Sequence, residues 1–196
     1  MIDEFISAFE QNIQRDGADK LLAWMKASDF FTAPASTKYH LSREGGLVEH
    51  SVHVYKRLRE LVEFEFGFSG GERIGTINAE TIAICGLLHD LCKANFYKIE
   101  MRNTKDEYGQ WVKVPYYTVD DQLPYGHGEK SVYIISDFMR LTREESMAIR
   151  WHMGGFDDAV KGGGYAMSGA WNKYPLAVLL HIADLQATFI DEAGDE

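Results

Sequence analysis

Two ionisable residues, His89 and Asp90, stand next to each other near the end of the most hydrophobic stretch of the chain, INAETIAICGLLHDLCK. Asp184 lies in a second stretch, PLAVLLHIADLQATF, which is apolar on almost every side if it is helical. Unpaired burial of such groups is costly, so each must face a cavity, form hydrogen bonds or bind a metal. These three residues are therefore the first candidates for a functional site.

Three histidines lie at predicted helix ends beside glycines. His50 follows Gly45 and Gly46 and can project inward from the helix that begins there. His127 is bracketed by glycines in YGHGEK, at a predicted helix start, and His152 follows MAIRW, where a helix ends at a loop. With the acidic residues, they make a set of imidazole and carboxylate groups.

The chemistry of this set favours metal binding. Imidazole and carboxylate together favour zinc, iron, manganese or cobalt over calcium. Five or six such ligands are too many for one catalytic ion that keeps open positions. Two ions about 3.5–4 Å apart, bridged by one carboxylate, would use all of them. We therefore expect two divalent metal ions (Fe, Mn, Zn or Co), whose identity stays open.

Five motifs follow one another in a fixed order: HLSREGGLVEHSVHV, ICGLLHDLCK, YGHGEKS, AIRWHMGG and LLHIADLQAT. Together they resemble the HD-domain metalloenzyme superfamily over roughly residues 45–190. The resemblance implies an all-helical fold and, for most members, hydrolysis of phosphoester bonds with bound divalent metals. It also implies that the first metal is held by His50, His89, Asp90 and Asp184, and the second by His127 and His152, with Asp90 as the bridge.

Lys93 matches the lysine of the HDxxK form found in several branches of this superfamily. A cation three residues after Asp90 can contact a metal-bound phosphate. Asp90 and Lys93 are therefore the predicted catalytic residues. The alternative for Lys93, a solvated side chain without a role in the site, stays open. Arg150 and Lys130 are further candidate phosphate ligands, with a solvated helix face as the alternative. Cys92 stands where the family often has glycine, and the GGLVEH motif with the two late histidines resembles the exoribonuclease-type branch.

The remaining histidines offer alternative assignments. His53 lies three residues after His50, so it is the rival for the inward position. His181 shares a helical face with Asp184, where it either pairs with that carboxylate or supports a metal ligand from outside. His40 is predicted to lie at the surface.

The elements that must position these residues are mostly helical. Apolar periodicity predicts helices over 2–13, 18–28, 46–66, 78–93, 128–140, 142–153 and 173–191. Residues 96–119 alternate in polarity and are rich in aromatic and β-branched side chains, which predicts one β-hairpin. Loops are expected at 29–45, at 67–75 and in the glycine-rich segment 159–171.

The predicted fold is therefore an all-α, HD-type helical bundle with one β-hairpin insertion. We expect a single domain over 1–196. It comprises N-terminal helices and a loop (1–44), a metal-binding core (45–192) and the inserted hairpin (96–119).

Composition restricts the partners. The formal net charge of -10 argues against binding to long nucleic acids or anionic membranes, but bound cations can still attract a nucleotide. The two cysteines do not suggest a disulfide framework. The N-terminus has no signal-peptide pattern and no apolar stretch reaches about 18 residues, so a cytoplasmic protein without membrane contact is expected.

The leading functional hypothesis is a metal-dependent phosphohydrolase that acts on a nucleotide or another small phosphoester. The first alternative is a mixed-valent di-iron oxygenase of the inositol-oxygenase-like branch, because that branch uses the same six ligands. The second is a non-catalytic, metal-stabilised ligand sensor. The lysine after the His-Asp pair favours hydrolysis, and the filled ligand set argues against the sensor.

Overall fold

The computed structural model describes residues 1–67 and 77–194. Within those residues the sheet content is one two-stranded hairpin, which confirms the predicted all-α fold with one hairpin insertion. The α-helices are α1 (Ile2–Asn12), α2 (Ala18–Ala27), α3 (Gly46–Phe66), α4 (Ala79–Leu88), α5 (His127–Ser136), α6 (Arg143–Trp151), α7 (Asp158–Lys161), α8 (Ala166–Lys173) and α9 (Pro175–Gln186). The strands are β1 (Tyr97–Lys105) and β2 (Trp111–Val119). Shorter helical turns are the 3-10 segments Leu91–Lys93 and Gly154–Phe156 and the π-helical segment Ala187–Asp191.

Helix α4 is the centre of the bundle. It is apolar on all sides, so it can be stable only when it is surrounded by other helices. It packs against α1, α3 and α6, and α3 and α6 in turn pack against α9. Its buried side chains include Ile82, Ile84, Leu87 and Leu88. The His-Asp pair that follows α4 is consequently placed in the interior of the protein.

The helix predicted over 78–93 begins as expected but ends earlier. Asn78 caps it, since its side chain accepts a hydrogen bond from the Thr81 amide at 2.9 Å. The α-helical hydrogen bonding ends at Leu88, and Asp90 has left the helical region with φ -102° and ψ 20°. A 3-10 turn over Leu91–Lys93 replaces the last predicted turn. Because the backbone changes direction here, the Asp90 carboxylate lies in a different position from the one it would have in a continuous helix.

The glycine-rich segment 159–171 was predicted to be a flexible loop, and this prediction is wrong in part. Most of the segment lies in α7 and α8. The Asp157 side chain caps α7 by accepting a hydrogen bond from the Ala159 amide at 2.9 Å. Ala170 on α8 is buried, and Trp171 packs against the core next to it. These few anchoring contacts outweigh the low helical propensity of the neighbouring glycines.

The last predicted helix, 173–191, is divided. Helix α9 begins at Pro175, a residue that suits the first helical position because it has no N–H to satisfy there. The final residues continue as a π-helix, which widens the last turn. Helices α5 and α6 are shorter than the predicted 128–140 and 142–153, while the turn predicted at 67–75 lies, apart from Gly67, outside the described residues.

The hairpin follows the predicted boundaries. Its strands are antiparallel, with Tyr97 opposite Val119 at the root and Lys105 opposite Trp111 at the tip. Gly109 takes φ 73° in the connecting turn, a left-handed conformation that glycine adopts without strain. In the described part of the chain, none of the helices is both long and apolar enough to cross a membrane.

Candidate metal centre

The structure brings the six predicted ligands together, although they come from distant parts of the chain. Helix α3 supplies one, the turn after α4 supplies two, and the other three come from the start of α5, the end of α6 and the interior of α9. The side chains are largely buried. In chain order they are His50, His89, Asp90, His127, His152 and Asp184.

One half of the cluster forms around His50. Its Nε2 atom lies 3.3 Å from Nε2 of His89 and 3.2 Å from Oδ1 of Asp184. The three ligand atoms all lie within 4.8 Å of one another, close enough for one ion to contact them together. Two imidazoles and one carboxylate at this spacing suit a transition metal or zinc.

Asp90 connects this half to the other. Its Oδ2 atom lies 3.7 Å from Nε2 of His50 and 3.6 Å from Nε2 of His89. Its Oδ1 atom lies 2.6 Å from Nε2 of His127 and 3.4 Å from Nε2 of His152. The two oxygens of one carboxylate therefore face two different pairs of histidines, which is the arrangement that a bridging ligand requires.

Backbone carbonyls orient two of the rings. Nδ1 of His89 lies 2.9 Å from the Gly86 carbonyl, and Nδ1 of His152 lies 2.6 Å from the Ile149 carbonyl. A carbonyl can only accept, so each Nδ1 must carry the proton and donate it. The Nε2 lone pairs are consequently free and point into the cluster, as in metal sites whose histidines are oriented by outer hydrogen bonds.

Glu192 is a functional candidate that the sequence reasoning missed. It is buried, and its Oε1 atom lies 3.0 Å from Nδ1 of His50 and 3.0 Å from Nδ1 of His53. The residue sits in the acidic end of the chain, DEAGDE, which is typical of a solvated tail. Its spacing of eight residues from Asp184 was the available signal, because residues eight apart share a helical face.

The charges of the cluster are unevenly distributed. Burial lowers the pKa of His50, but hydrogen bonds with Asp184 and Glu192 outweigh it and raise that pKa to about 9. Burial also lowers the pKa of His127, but the nearby Cys92 and Asp90 outweigh burial and raise that pKa to about 10. The protons on these two rings offset the negative charge of the carboxylates. A metal cation that binds here would displace those protons and offset the same negative charge itself.

The cluster meets the chemical requirements of a metal site. Burial lowers the pKa of His89 to about 3, although Asp90 has the opposite effect. At neutral pH this ring is therefore uncharged and can offer its Nε2 lone pair to a metal ion. Nε2 of His152 is buried and has no hydrogen-bond partner among residues 1–67 and 77–194. A buried nitrogen lone pair needs a partner, and a cation between this atom and Asp90 would satisfy it. The donor set therefore fits divalent ions.

Comparison with protein families matches residues 47–186 to the family described as HD domain. The chain belongs to the HD domain family. Comparisons with curated proteins and with solved structures gave no match. HD domains are helical, they bind divalent metals and most of them are metal-dependent hydrolases, so the family indicates this general type of function here. The matched residues include all six members of the cluster.

Lys93 lies inside the HD-domain site and is not solvated. Its Nζ atom is 2.6 Å from Oδ2 of Asp90, and only 13% of its side chain is exposed. Burial lowers the pKa of Lys93, but the effect of the nearby Asp90 carboxylate is larger and raises that pKa above its ordinary value. The side chain stays cationic and reaches the cavity beside the cluster.

His40 was predicted to be a surface residue, and the structure corrects this prediction. Its ring centroid lies 5.0 Å from that of His50, and its side chain is 18% exposed. Burial, with the nearby His50 and Lys93, lowers the pKa of His40 to about 4. The segment 29–45 folds back over the HD domain, so a residue of the loop that precedes α3 becomes part of the wall of the site.

The other rival residues have different partners. His53 lies outside the cluster and contacts Glu192. Nδ1 of His181 lies 2.6 Å from the backbone carbonyl of His152. His181 therefore contacts the backbone of a predicted metal ligand and does not pair with Asp184.

The two further phosphate-ligand candidates are occupied by ion pairs. Nη1 of Arg150 lies 2.7 Å from Oδ2 of Asp157, and Lys130 pairs with Asp121. Lys130 is also almost fully buried, with Nζ 4.6 Å from the centroid of the Phe96 ring. Both cations therefore stabilise the structure around the site and do not face its cavity.

A cavity of about 1050 Å³ opens beside the cluster. Its polar side includes Asp90, Asp184 and Lys93. Its apolar side includes aromatic residues from three other segments, namely Phe96, Tyr97, Phe156 and Phe189. The root of the hairpin thus contributes to the cavity, as does the segment that follows α6.

Proposed function

We propose that this HD domain is a phosphohydrolase that uses two divalent metal ions to hydrolyse a nucleotide or another small phosphoester. The observation that carries the proposal is the position of Asp90, whose two carboxylate oxygens face two separate pairs of histidines. Two-ion sites bridged by a carboxylate are common in enzymes that hydrolyse phosphoesters.

The ligands divide between the two ions as the distances suggest. His50, His89 and Asp184 would hold the first ion, and His127 and His152 would hold the second, with Asp90 shared. When bound, the ions supply a water of lowered pKa as the nucleophile and neutralise charge on the phosphoryl oxygens. The carbonyl contacts of His89 and His152 hold both rings with Nε2 facing the cluster, where these atoms would be available to the ions.

Lys93 supplies a cation from the protein itself. Its ammonium group lies beside the bridging carboxylate and opens to the cavity, so it can donate hydrogen bonds to a phosphoryl oxygen of the substrate. Its raised pKa keeps the donor protonated at neutral pH. The substrate is thereby held by its phosphate next to the ligand cluster.

The cavity supports a substrate larger than phosphate alone. Its volume, about 1050 Å³, lies at the upper end of the range for small-molecule sites, on the order of 300–1,000 Å³. Phe156 and Phe189 are mostly exposed at its wall and can stack on a planar group such as a nucleobase. A nucleotide would place its phosphate at the polar side and its base at the aromatic side.

The experiment combines metal analysis with hydrolysis on the same samples. Protein purified with and without oxygen is measured by mass spectrometry for metal content, then assayed with bis-p-nitrophenyl phosphate and a panel of nucleotides. About two equivalents of metal with turnover supports the proposal. Two irons, oxygen consumption and no hydrolysis would replace it with the oxygenase, and bound metal without any turnover would leave the ligand sensor.

A Lys93→Gln variant tests the role of the lysine. We expect it to keep its metal and to lose about 10- to 100-fold in kcat, since a charged contact to the reacting phosphate is removed. Lys173→Gln on the exposed side of α8 is the matched control and should behave as wild type. Unchanged kcat in Lys93→Gln would remove the lysine from the proposed reaction.

A further inference from the structure

The Cys92 side chain lies against the second half of the metal cluster. Its Sγ atom is 3.5 Å from Nδ1 and 3.6 Å from Nε2 of His127. One ligand atom from each of Asp90, Cys92 and His127 lies within 4.8 Å of the other two. The sulfur is thus close enough to contact an ion that Asp90 and His127 hold.

The backbone around Cys92 fixes this position. Cys92 belongs to the 3-10 turn Leu91–Lys93, which packs against α5. Its amide donates a hydrogen bond of 3.0 Å to the hydroxyl of Ser131, which lies one helical turn after His127 on α5. The turn and the helix therefore meet at two neighbouring points, and the buried side chain of Cys92 faces His127 instead of solvent.

A buried donor without a partner faces the same place. His152 is fully buried, and its Nε2 atom forms no hydrogen bond within the described part of the chain. This atom lies 3.4 Å from Oδ1 of Asp90, and the ring centroids of His127 and His152 are 5.2 Å apart. A buried lone pair needs a partner. The unpaired nitrogen therefore indicates an ion at this position independently of the thiol.

The spacing of these atoms agrees with donors around one tetrahedral ion. Two ligand atoms of a tetrahedral zinc ion lie roughly 3.3–3.7 Å apart, given bonds of about 2.0–2.2 Å to nitrogen or oxygen and about 2.3 Å to sulfur. The 3.6 Å between Sγ of Cys92 and Nε2 of His127 falls in this range. So does the 3.4 Å between Oδ1 of Asp90 and Nε2 of His152. Oδ1 of Asp90 and Nε2 of His127 are closer, at 2.6 Å, because a proton joins them in place of an ion.

We propose that Cys92 is a ligand of the second metal ion, and that its thiolate makes this position selective for zinc. The donors of this position would be two imidazoles, one carboxylate oxygen and one sulfur, whereas the first position has imidazoles and carboxylates alone. Soft thiolate ligands select zinc over manganese or magnesium, which prefer oxygen. The thiol loses its proton to solvent as the ion binds, because the thiolate is the form that coordinates. This inference rests on the two-ion site of the proposed function and gives its two positions different metal preferences.

Cys85 provides a matched control, because it is the other cysteine of the chain. It lies on α4, fully buried in the hydrophobic core. Among the described residues, the groups that could hold an ion include Cys92 but not Cys85. A thiolate found on a metal ion in this protein is therefore assigned to Cys92.

Cobalt(II) is the first probe, because a thiolate ligand gives it a charge-transfer band in the near ultraviolet that imidazole and carboxylate do not give. Metal-free protein is titrated with cobalt under nitrogen, without a thiol reductant. One of the two bound ions should develop the band in wild type and in Cys85→Ala. Cys92→Ser should bind cobalt without the band, and circular dichroism checks its fold. An undiminished band in Cys92→Ser, or two bound ions without the band in wild type, would overturn the assignment.

Zinc tests the selectivity of the second position. X-ray absorption of zinc-loaded wild type, which needs no variant, should show a sulfur atom at about 2.3 Å from half of the bound zinc. In chelator competition, Cys92→Ser should weaken zinc binding at this position by at least about tenfold and manganese binding by less than about threefold, since only zinc loses a preferred donor. Cys85→Ala should bind both ions as wild type does. Equal losses for zinc and manganese would overturn the selectivity.

The outcomes separate this proposal from the proposed activity. Two ions and turnover without a sulfur ligand would overturn the role of Cys92 and leave the phosphohydrolase intact. A sulfur ligand in a protein that hydrolyses no phosphoester would support the role of Cys92 and overturn the phosphohydrolase. Uptake of a single ion without the cobalt band would overturn both.

Discussion

The Nδ1 atom of His50 lies 3.0 Å from Oε1 of the buried Glu192, so the outer side of a predicted metal ligand is hydrogen-bonded to a carboxylate. The same ring directs Nε2 into the cluster, 3.2 Å from Asp184. A carboxylate in this position fixes the tautomer of the imidazole and increases its basicity as a ligand. We therefore expect Glu192 to act as a positioning residue for the candidate metal centre.

Replacement of Glu192 by alanine should weaken metal binding by about 10- to 100-fold, because the orientation of the His50 ring is no longer fixed. Glu192→Gln should fall between wild type and alanine, since its amide oxygen can still accept one hydrogen bond. The measurement is a chelator competition with zinc or manganese on metal-free protein. Asp191→Asn, which removes the negative charge of the neighbouring surface partner of Arg57, is the control and should bind normally. Wild-type affinity in Glu192→Ala would disprove the positioning role.

Asp90 and His127 should differ in the number of ions that their loss removes. Asp90→Ala should abolish metal binding at both positions, because this carboxylate faces both pairs of histidines. His127→Ala should retain the ion held by His50, and lose the other ion together with most activity. Metal stoichiometry by mass spectrometry and circular dichroism for the fold check both variants. Full metal content and activity in both would show that the ligand assignment is wrong.

The residues that could be predicted from sequence share one property, which is that they conflict with their surroundings. Asp184 stands in a helix that is otherwise apolar, and His89 and Asp90 end the most hydrophobic helix, so each needed a specific explanation. Glu192 and His40 lie in polar segments, where a charged or polar side chain is expected and needs no specific explanation. Their burial depends on how the segment before α3 and the segment after α9 fold back over α3, which local sequence does not encode.

The element boundaries show the same limit. Apolar side chains continue through Leu91 and Cys92, so periodicity extends α4 beyond its end at Leu88. The turn at Asp90 is favoured by tertiary contacts, such as the hydrogen bond of 3.0 Å from the Cys92 amide to the Ser131 hydroxyl. In the segment 159–171, glycine content suggested a loop, but capping by Asp157 and the packing of Ala170 determine the outcome.

Gly86 should be required for the spacing between α3, which carries His50, and α4, which ends just before His89. A Cβ atom at Gly86 would lie 2.5 Å from the Cα of Tyr55 on α3, so Gly86→Ala must push α3 and α4 apart. We expect the free energy of unfolding to fall by about 1–3 kcal/mol, the usual cost of overpacking, and metal affinity to fall with it. Denaturant unfolding and metal titration measure the two effects.

The control for that substitution is Gly169→Ala on α8. Apart from its chain neighbours and its own helix backbone, no atom of the described residues lies within 4 Å of a Cβ added there, so only helical propensity changes. The variant should be neutral or more stable by up to about 1 kcal/mol. If Gly86→Ala proved as stable as Gly169→Ala, the close approach of α3 and α4 would have no energetic importance.

Glu145 should make stability depend on pH in the acidic range. The carboxylate is fully buried, accepts hydrogen bonds from both Nη atoms of Arg15 at 2.7 and 3.0 Å, and also accepts from the Thr81 hydroxyl and the Thr142 amide. Burial raises its pKa, but these bonds outweigh burial and lower it. Its stabilisation is therefore complete above the unfolded pKa of about 4.3 and is lost as pH falls through the lower folded-state pKa.

Glu145→Gln should consequently lower the free energy of unfolding by about 2–4 kcal/mol at neutral pH, because Arg15 loses its buried partner. The difference between wild type and variant should shrink as pH falls below about 4, where the wild-type carboxylate becomes protonated. Glu80→Gln removes the more exposed partner of Arg15 and should cost no more than about 1 kcal/mol. Chemical denaturation at several pH values measures all three proteins, and a difference that stays constant with pH would mean that the charge of Glu145 does not stabilise the fold.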